Sequence, residues 1–170
     1  MIPETSGQRT LELYHCVSFP HRWELEKVLM TDVNAVDATL AEMEGRWWLF
    51  VNMAMVEGNL KNWDELYLFY ADSPFGPWKP HARNPVKSDG PAGRVFFQDG
   101  HFYRPAQDCS RRYGYAISIN RILCINPTEY EEKEVSKILP HWRRNLVANH
   151  TLNYMEGLTV IDGLLRRPRW

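Results

Sequence analysis

The sequence predicts an all-β protein assembled from repeated units of four antiparallel strands. Three observations carry that reading. Apolar and polar residues alternate with period two along most of the chain, the pattern of strands with one buried face. Aromatic residues are abundant, with seven Trp, eight Tyr and seven Phe among 170 residues, and such side chains favour a pleated, half-buried surface. Glycine turns also recur at one spacing. A chain of this size buries roughly two thirds of its unfolded surface, enough for one domain with a real core.

Taken in order, "LELYHCVSF", "GRWWLFVNM", "ELYLFYAD", "GRVFF", "GHFYRPA", "YGYAISI" and "LTVIDG" each read as strands bounded by turn residues. The segment "NPTEYEEKEVSKILPHW" is ambiguous. Its Asn-Pro start and acidic first turn suit a short helix stopped by Pro140, and an edge strand fits equally well.

Internal repeats set the architecture. "EMEGRWWLF", "FFQDGHFYRP" and "NYMEGLTVID" each put an acidic residue and a glycine before an aromatic or β-branched run, and Gly45, Gly100 and Gly157 stand 55 and 57 positions apart. A second signal follows out of phase: "LYHCVSFPHRWELEKVL" and "LFYADSPFGPWKPHARNPV" align Trp23 with Trp78, again 55 apart. Each unit therefore reads as a hairpin closed at an E/D-G turn, followed by two strands joined by an S-P-F-G-P-W type turn. One such sheet cannot bury both faces, so it stacks radially on its neighbours as β-propeller blades do. A β-sandwich is the second architecture, but its strands need not repeat at this period.

The phase of the repeats places the end of one blade at 1–34, full blades at 35–88 and 89–145, and the start of the next at 146–170. That is about three blades, and propellers close with four to eight. The expectation is a ring completed by another chain, as a six-bladed homodimer with twofold symmetry, or a truncated ring.

Twenty basic and twenty-one acidic residues leave a formal charge of −1, so no global field favours nucleic acid or an anionic membrane. The tail "LLRRPRW" is basic only locally: its three arginines could bind an anion, but a frayed, solvated end is the stronger reading. Cys16, Cys109 and Cys124 are odd in number and lack a C-x-x-C spacing, which points away from disulfides and zinc and toward a reducing, cytoplasmic setting. The start "MIPETSGQRT" lacks the basic and apolar regions of a signal peptide, and no run approaches the ~18 apolar residues of a membrane span. No metal and no cofactor are expected.

The segments "MIPETS", "RWELEKVL", "VDATL", "GRWWLF", "LYLFYADSPFGPW", "PAGRVF", "YRPAQDCSRRYGYAI" and "LTVIDG" together resemble the propeller domain at the N-terminus of glucosamine inositolphosphorylceramide transferases. More distantly they are similar to the five-bladed propellers of glycoside hydrolase family 43. The resemblance implies a five-bladed ring, of which this chain is about three fifths, and relatives that continue upstream of "MIPETS". It also implies that "VDATL" presents the equivalent of the hydrolases' pKa modulator, at Asp37. The matching stretch for their acid is "GPAGRVF", where Ala92, Gly93 and Arg94 stand and no Glu occurs. A glycosidase needs two carboxyls flanking the bond, so hydrolysis by that route is not expected.

Propeller geometry adds further candidates. The innermost strands start at Asp37, Arg94 and His150, three groups suited to the hydroxyls and charge of a sugar or sugar phosphate if they converge on a channel. The alternative is that they close the channel by pairing with one another. The second strands end at Glu4, Asn52 and Gln107, polar residues at equivalent positions in apolar strands. Arg104, Gln107 and Asp108 lie where a second strand turns into a third, with Asp108 expected to pair with an arginine. The same cluster, with Arg111 and Arg112, is equally well read as an ion-pair network that fixes the blade. Cys109 reads as a small filler, and most tryptophans as packing between blades. Trp63, in a polar stretch, is the one candidate for sugar stacking.

These residues support a carbohydrate-related domain that recognises a glycan or sugar phosphate, within a glycosyl-processing assembly. An enzyme using Asp37 with His150 or Glu4 on a glycosidic bond is the second reading, and a non-catalytic docking platform the third.

Overall fold

A computed structural model describes residues 1–53 and 65–167; Trp63 lies outside the described residues. The chain divides into two compact units, Met1–Gly90 and Pro91–Trp170.

The first unit opens with a 3₁₀ turn at Ser6–Gln8 and a hairpin of β1 (Thr10–Ser18) and β2 (Arg22–Thr31). A four-stranded antiparallel sheet follows, ordered β3 (Ala35–Met43), β4 (Arg46–Met53), β5 (Leu66–Ala71) and β6 (Lys79–Pro80). β3 and β4 are joined by Glu44 and Gly45, with φ of 52° and 70°. Two successive left-handed residues make the type I′ turn that matches strand twist, and glycine takes the second at little cost. Strand β4 is buried on both faces from Trp48 to Met53. One face carries Leu49, Val51 and Met53, packed with Leu11, Ala35 and Tyr67 into a core that ties the hairpin to the sheet. The short β6 leaves much of β5 unladdered, and Asn84 replaces a strand there: its side chain accepts from the Leu68 N–H (2.8 Å) and donates to the Leu68 carbonyl (2.7 Å).

The second unit repeats the pattern. Its sheet contains β7 (Phe96–Gln98), β8 (His101–Asp108), β9 (Ala116–Ile125) and β10 (Tyr130–Ile138), in that spatial order. Residues 130–138 are therefore a strand, which settles the helix-or-strand ambiguity of that segment. Two short pairs follow: β12 (Leu152–Met155) with β13 (Leu158–Ile161), and β11 (Leu146–Ala148) with β14 (Leu164–Leu165). The turns Asp99-Gly100 (49°, 79°) and Glu156-Gly157 (43°, 85°) repeat the type I′ geometry of Glu44-Gly45. Ala92, Ile117 and Leu152 form the core of this unit, joined by Phe96, Ile119 and Tyr154. Leu152 donates its N–H to the Ala92 carbonyl at 2.7 Å, so the β12–β13 hairpin docks beside the segment leading into β7. The contact demands a glycine at 93: φ is +138°, and a Cβ there would sit 1.9 Å from the Leu152 carbonyl oxygen. Both sheets have the strand order and antiparallel pairing of propeller blades.

Candidate functional site

The most unusual backbone among the sequence-predicted site residues is at Asp37. Ala35 pairs with Met53 and Val36 with Asn52, but the next pair is Thr39 with Phe50. Two residues of β3, Asp37 and Ala38, thus oppose one of β4, which is a β-bulge. Asp37 takes φ = +55°, a left-handed conformation that glycine adopts freely and other residues only at a cost of about 1–2 kcal/mol. Asp37 is half-buried and lines a cleft of about 160 Å³, whose lining also includes Glu4, Ile2, Pro3, Leu11 and Ala35. Glu4 is exposed and accepts a hydrogen bond from the Ser6 hydroxyl at 3.2 Å.

Asn52 braces the bulge from behind. Only 2% exposed, it points its Nδ2 at Asp37 Oδ2, 3.4 Å away. Gly90 lies against the amide so closely that a Cβ there would fall 2.0 Å from Asn52 Nδ2. Glu4, Asp37 and Asn52, the first from one repeat and the other two from the next, thus share one neighbourhood in the first unit. Gly90 is a supporting residue that the sequence reading missed, since nothing in "SDGPAG" says which side chain it meets.

In the second unit the expected residues scatter. Arg94 is exposed; its N–H donates to Asn153 Oδ1 (3.0 Å), and its guanidinium lies 3.7 Å from Met155 Sδ. His150 packs its ring 4.9 Å from that of Tyr113, and its N–H and that of Thr151 both donate to Asp162 Oδ1. Gln107, 8% exposed, donates to the Pro91 carbonyl at 3.0 Å.

Arg104 is the largest departure from a ligand-facing geometry. Its side chain is fully buried and grips Glu132 with both ends of the fork, Nε to Oε2 at 2.8 Å and Nη2 to Oε1 at 2.6 Å. The Tyr130 hydroxyl donates to the same Oε2. Burial is the main reason this phenol stays protonated well above its ordinary range; Arg104 opposes the shift and Glu132 adds to it. The signal for this triad was the i, i+2 spacing of Tyr130 and Glu132, which puts both on one face once the segment is a strand.

The expectation that Asp108 pairs with an arginine is corrected: its partner is Lys137, at 3.0 Å, which also lies 3.3 Å from Glu134. The register explains it. Asp108 opposes Ala116 and Lys137 opposes Ser118, which bring the lysine beside the aspartate. Arg111 and Arg112 instead lie over the Tyr115 ring, at 5.1 and 5.5 Å. Burial disfavours the Asp108 carboxylate, but hydrogen bonds from Ser110 and the Lys137 ammonium outweigh it and hold the group below its usual value. Among the described residues, no helix is long and apolar enough to cross a membrane.

With this geometry in place, comparison with known proteins gives a consistent result. Residues 1–155 match the family described as glucosamine inositolphosphorylceramide transferase 1, N-terminal. Proteins named glucosamine inositolphosphorylceramide transferase 1 from Oryza sativa subsp. japonica and Arabidopsis thaliana are each 40% identical, over 142 and 141 residues. The matches cover 80% and 79% of this chain but 19% and 18% of the relatives, so the chain spans about a fifth of their length. Among solved structures, a glycoside hydrolase family 43 arabinoxylan arabinofuranohydrolase from Bacillus subtilis aligns with a TM-score of 0.48 and 14% identity, over 88% of this chain and 38% of that one. By its sequence from residue 1 to 155, the chain belongs to the family of glucosamine inositolphosphorylceramide transferase 1 N-terminal domains.

Proposed function

We propose that this chain is a carbohydrate-recognition domain whose first unit binds a glycan or sugar phosphate through Asp37 and Glu4, within a glycosyl-processing assembly. One observation carries the reading: an aspartate is held at φ = +55° in a bulge and lines a cleft together with Glu4. Strain of this kind gathers at binding sites, where surrounding structure maintains it. Two carboxylates on an apolar floor of Ile2, Leu11 and Ala35 suit a sugar, whose hydroxyls donate to the oxygens while its C–H face meets the apolar side chains. Asn52 fixes the orientation of Asp37. In the second unit, the exposed Arg94 guanidinium is a separate candidate for a phosphate. The relatives' name, glucosamine inositolphosphorylceramide transferase 1, supports the same chemical class.

Glycosidase-type chemistry is the second reading, favoured by the presence of two carboxyls in one cleft, the minimum such a reaction needs. A docking platform is the third. Cytoplasmic location and homodimerisation complete the proposal, with 1–34 and 146–170 as the partial blades at either end.

Isothermal calorimetry with glucosamine, glucose 1-phosphate and a panel of short oligosaccharides tests it. Saturable binding to one of them, lost in Asp37→Asn with the circular dichroism spectrum intact, is the expected result. Release of reducing sugar, abolished by the same change, would move the reading to hydrolysis. Absence of saturable binding across the panel, together with capture of a protein partner indifferent to sugar, would leave the platform.

A further inference from the structure

We infer that the loop joining β8 to β9 binds a phosphorylated sugar, its phosphate held by Arg111 and Arg112 and its ring laid on Tyr113. The site lies wholly within the second unit and is independent of the Asp37 cleft.

Two cations stand side by side in this loop without a counter-charge. Arg111 and Arg112 are both exposed, and among the described residues neither side chain takes part in an ion pair or a hydrogen bond. Carboxylates tied to the loop and to His150 are already engaged. Asp108, at the end of β8, holds Lys137 at 3.0 Å, and Asp162 accepts the backbone N–H groups of His150 and Thr151 at 2.6 and 2.8 Å.

Both guanidiniums lie over the Tyr115 ring, 5.1 and 5.5 Å from its centroid. Tyr115 is 7% exposed, so that ring is fixed by its packing. Like charges on successive residues repel, yet one anchored ring gathers both. Stacking uses the flat face of a guanidinium and leaves the N–H donors at its edge. Those donors match the oxygens of a phosphate, which accepts charge-assisted and often bidentate hydrogen bonds from arginine. Arg104 in the same unit is the contrast, since its fork is spent on Glu132 and none of it is exposed.

Tyr113 extends the site from an anion to the group that carries it. Its ring is 71% exposed and is braced by the His150 ring at 4.9 Å. Gly114 permits that approach: its φ is +61°, and an added Cβ would stand 3.1 Å from His150 Cδ2. An exposed aromatic face beside polar anchors suits the C–H face of a sugar ring. His150 also lacks a partner. Its Nε2 is shielded from solvent and, among the described residues, makes no hydrogen bond, a costly state for a polar group. A ligand hydroxyl entering beside Tyr113 would supply that bond.

Calorimetry on the full chain with glucose 6-phosphate and with inorganic phosphate tests the site. Saturable binding of glucose 6-phosphate is expected, weakened about tenfold or more in Arg111→Ala and in Arg112→Ala. Tyr113→Ala should weaken glucose 6-phosphate several-fold and leave the weaker binding of inorganic phosphate unchanged, which separates a sugar phosphate from the free anion. Arg111→Lys with Arg112→Lys keeps both charges but not the forks. It should also bind more weakly, and it decides the matter if the alanine variants lose the parent's circular dichroism spectrum. No saturable binding by the parent, or parent-like affinity in the arginine variants, would overturn the site. Equal affinity for the two phosphates, unmoved by Tyr113→Ala, would overturn the sugar assignment. Loss of glucose 6-phosphate binding in Asp37→Asn, with the arginine variants unaffected, would place the phosphate in the first unit instead. Retention in Asp37→Asn alongside loss of neutral glycan binding would support both sites, and retention with no glycan binding by the parent would sink the cleft alone.

Discussion

Replacing Glu132 by glutamine tests whether Arg104 belongs to the scaffold or to a ligand site. The guanidinium has no exposed surface, Glu132 has 2%, and two hydrogen bonds of 2.8 and 2.6 Å join them. Glu132→Gln keeps the shape but leaves a guanidinium that stays charged at any working pH. Breaking a buried pair from one side costs about 3–5 kcal/mol, because an uncompensated charge remains. For a chain of this length each kcal/mol corresponds to roughly 2–4 °C in Tm, so a loss of about 6–20 °C is expected. Removing the whole triad, as Arg104→Met with Glu132→Leu and Tyr130→Phe, also removes the desolvation cost and the orphaned hydroxyl. That variant should recover to within about 2 kcal/mol of the parent, since apolar replacements of buried ion pairs are often neutral. Urea midpoints for the parent, each single change and the combination supply the cycle, provided the slope is constant. A Glu132→Gln protein within about 1 kcal/mol of the parent, or a combined variant no better than the sum of its parts, would refute the reasoning. Arg104 would then return to the ligand-binding role that the sequence suggests.

Asp37→Gly should raise stability by up to about 1 kcal/mol by relieving the left-handed backbone while abolishing saturable sugar binding; a loss of stability would mean that the bulge carries no strain. Gly93→Ala should detach the β12–β13 hairpin, seen as rapid amide exchange across Leu152–Ile161, because its Cβ would fall 1.9 Å from the Leu152 oxygen; unchanged protection there would contradict the docking. Gly90→Ala should weaken sugar binding through Asn52, which its Cβ would strike, and equal affinity would remove Asn52 from the site. Asp108 titrates below its ordinary value in the folded chain. Its contribution is therefore complete above the unfolded value of about 3.9 and is lost as pH falls through the lower folded one. Lys137 titrates above its ordinary value, raised first by Asp108 against the pull of burial. Its contribution holds below about pH 10.4 and is lost above. Stability of the parent relative to Lys137→Met should thus be flat between those limits and converge beyond them; a difference that persists in strong acid would sink the Asp108 assignment.

Features that depend on neighbouring residues alone were legible along the chain. Glu44-Gly45, Asp99-Gly100 and Glu156-Gly157 were legible as hairpin turns because the left-handed preference of glycine acts locally and in any context. Their common spacing then exposed the repeated blade, and aromatic and β-branched runs bounded by turn residues marked β4 and β9. Residues 130–138 were not legible in the same way: their glutamates and lysines favour helix on intrinsic grounds, and pairing with β9 overrode that preference. Tertiary structure decided which charges meet. The bulge at Asp37 and the register shifts beside Glu132 and Ser136 arise from how paired strands fit along their length, and one slipped residue moves every later side chain to the opposite face. Sequence therefore identified Glu4, Asp37, Asn52, Arg104 and Asp108 as polar residues in unusual places. Only the folded chain brought Glu4 and Asp37 to one cleft with Asn52 beside Asp37, gave Arg104 to Glu132 and gave Asp108 to Lys137, because ion-pair choice depends on distances of a few ångströms that no local preference specifies.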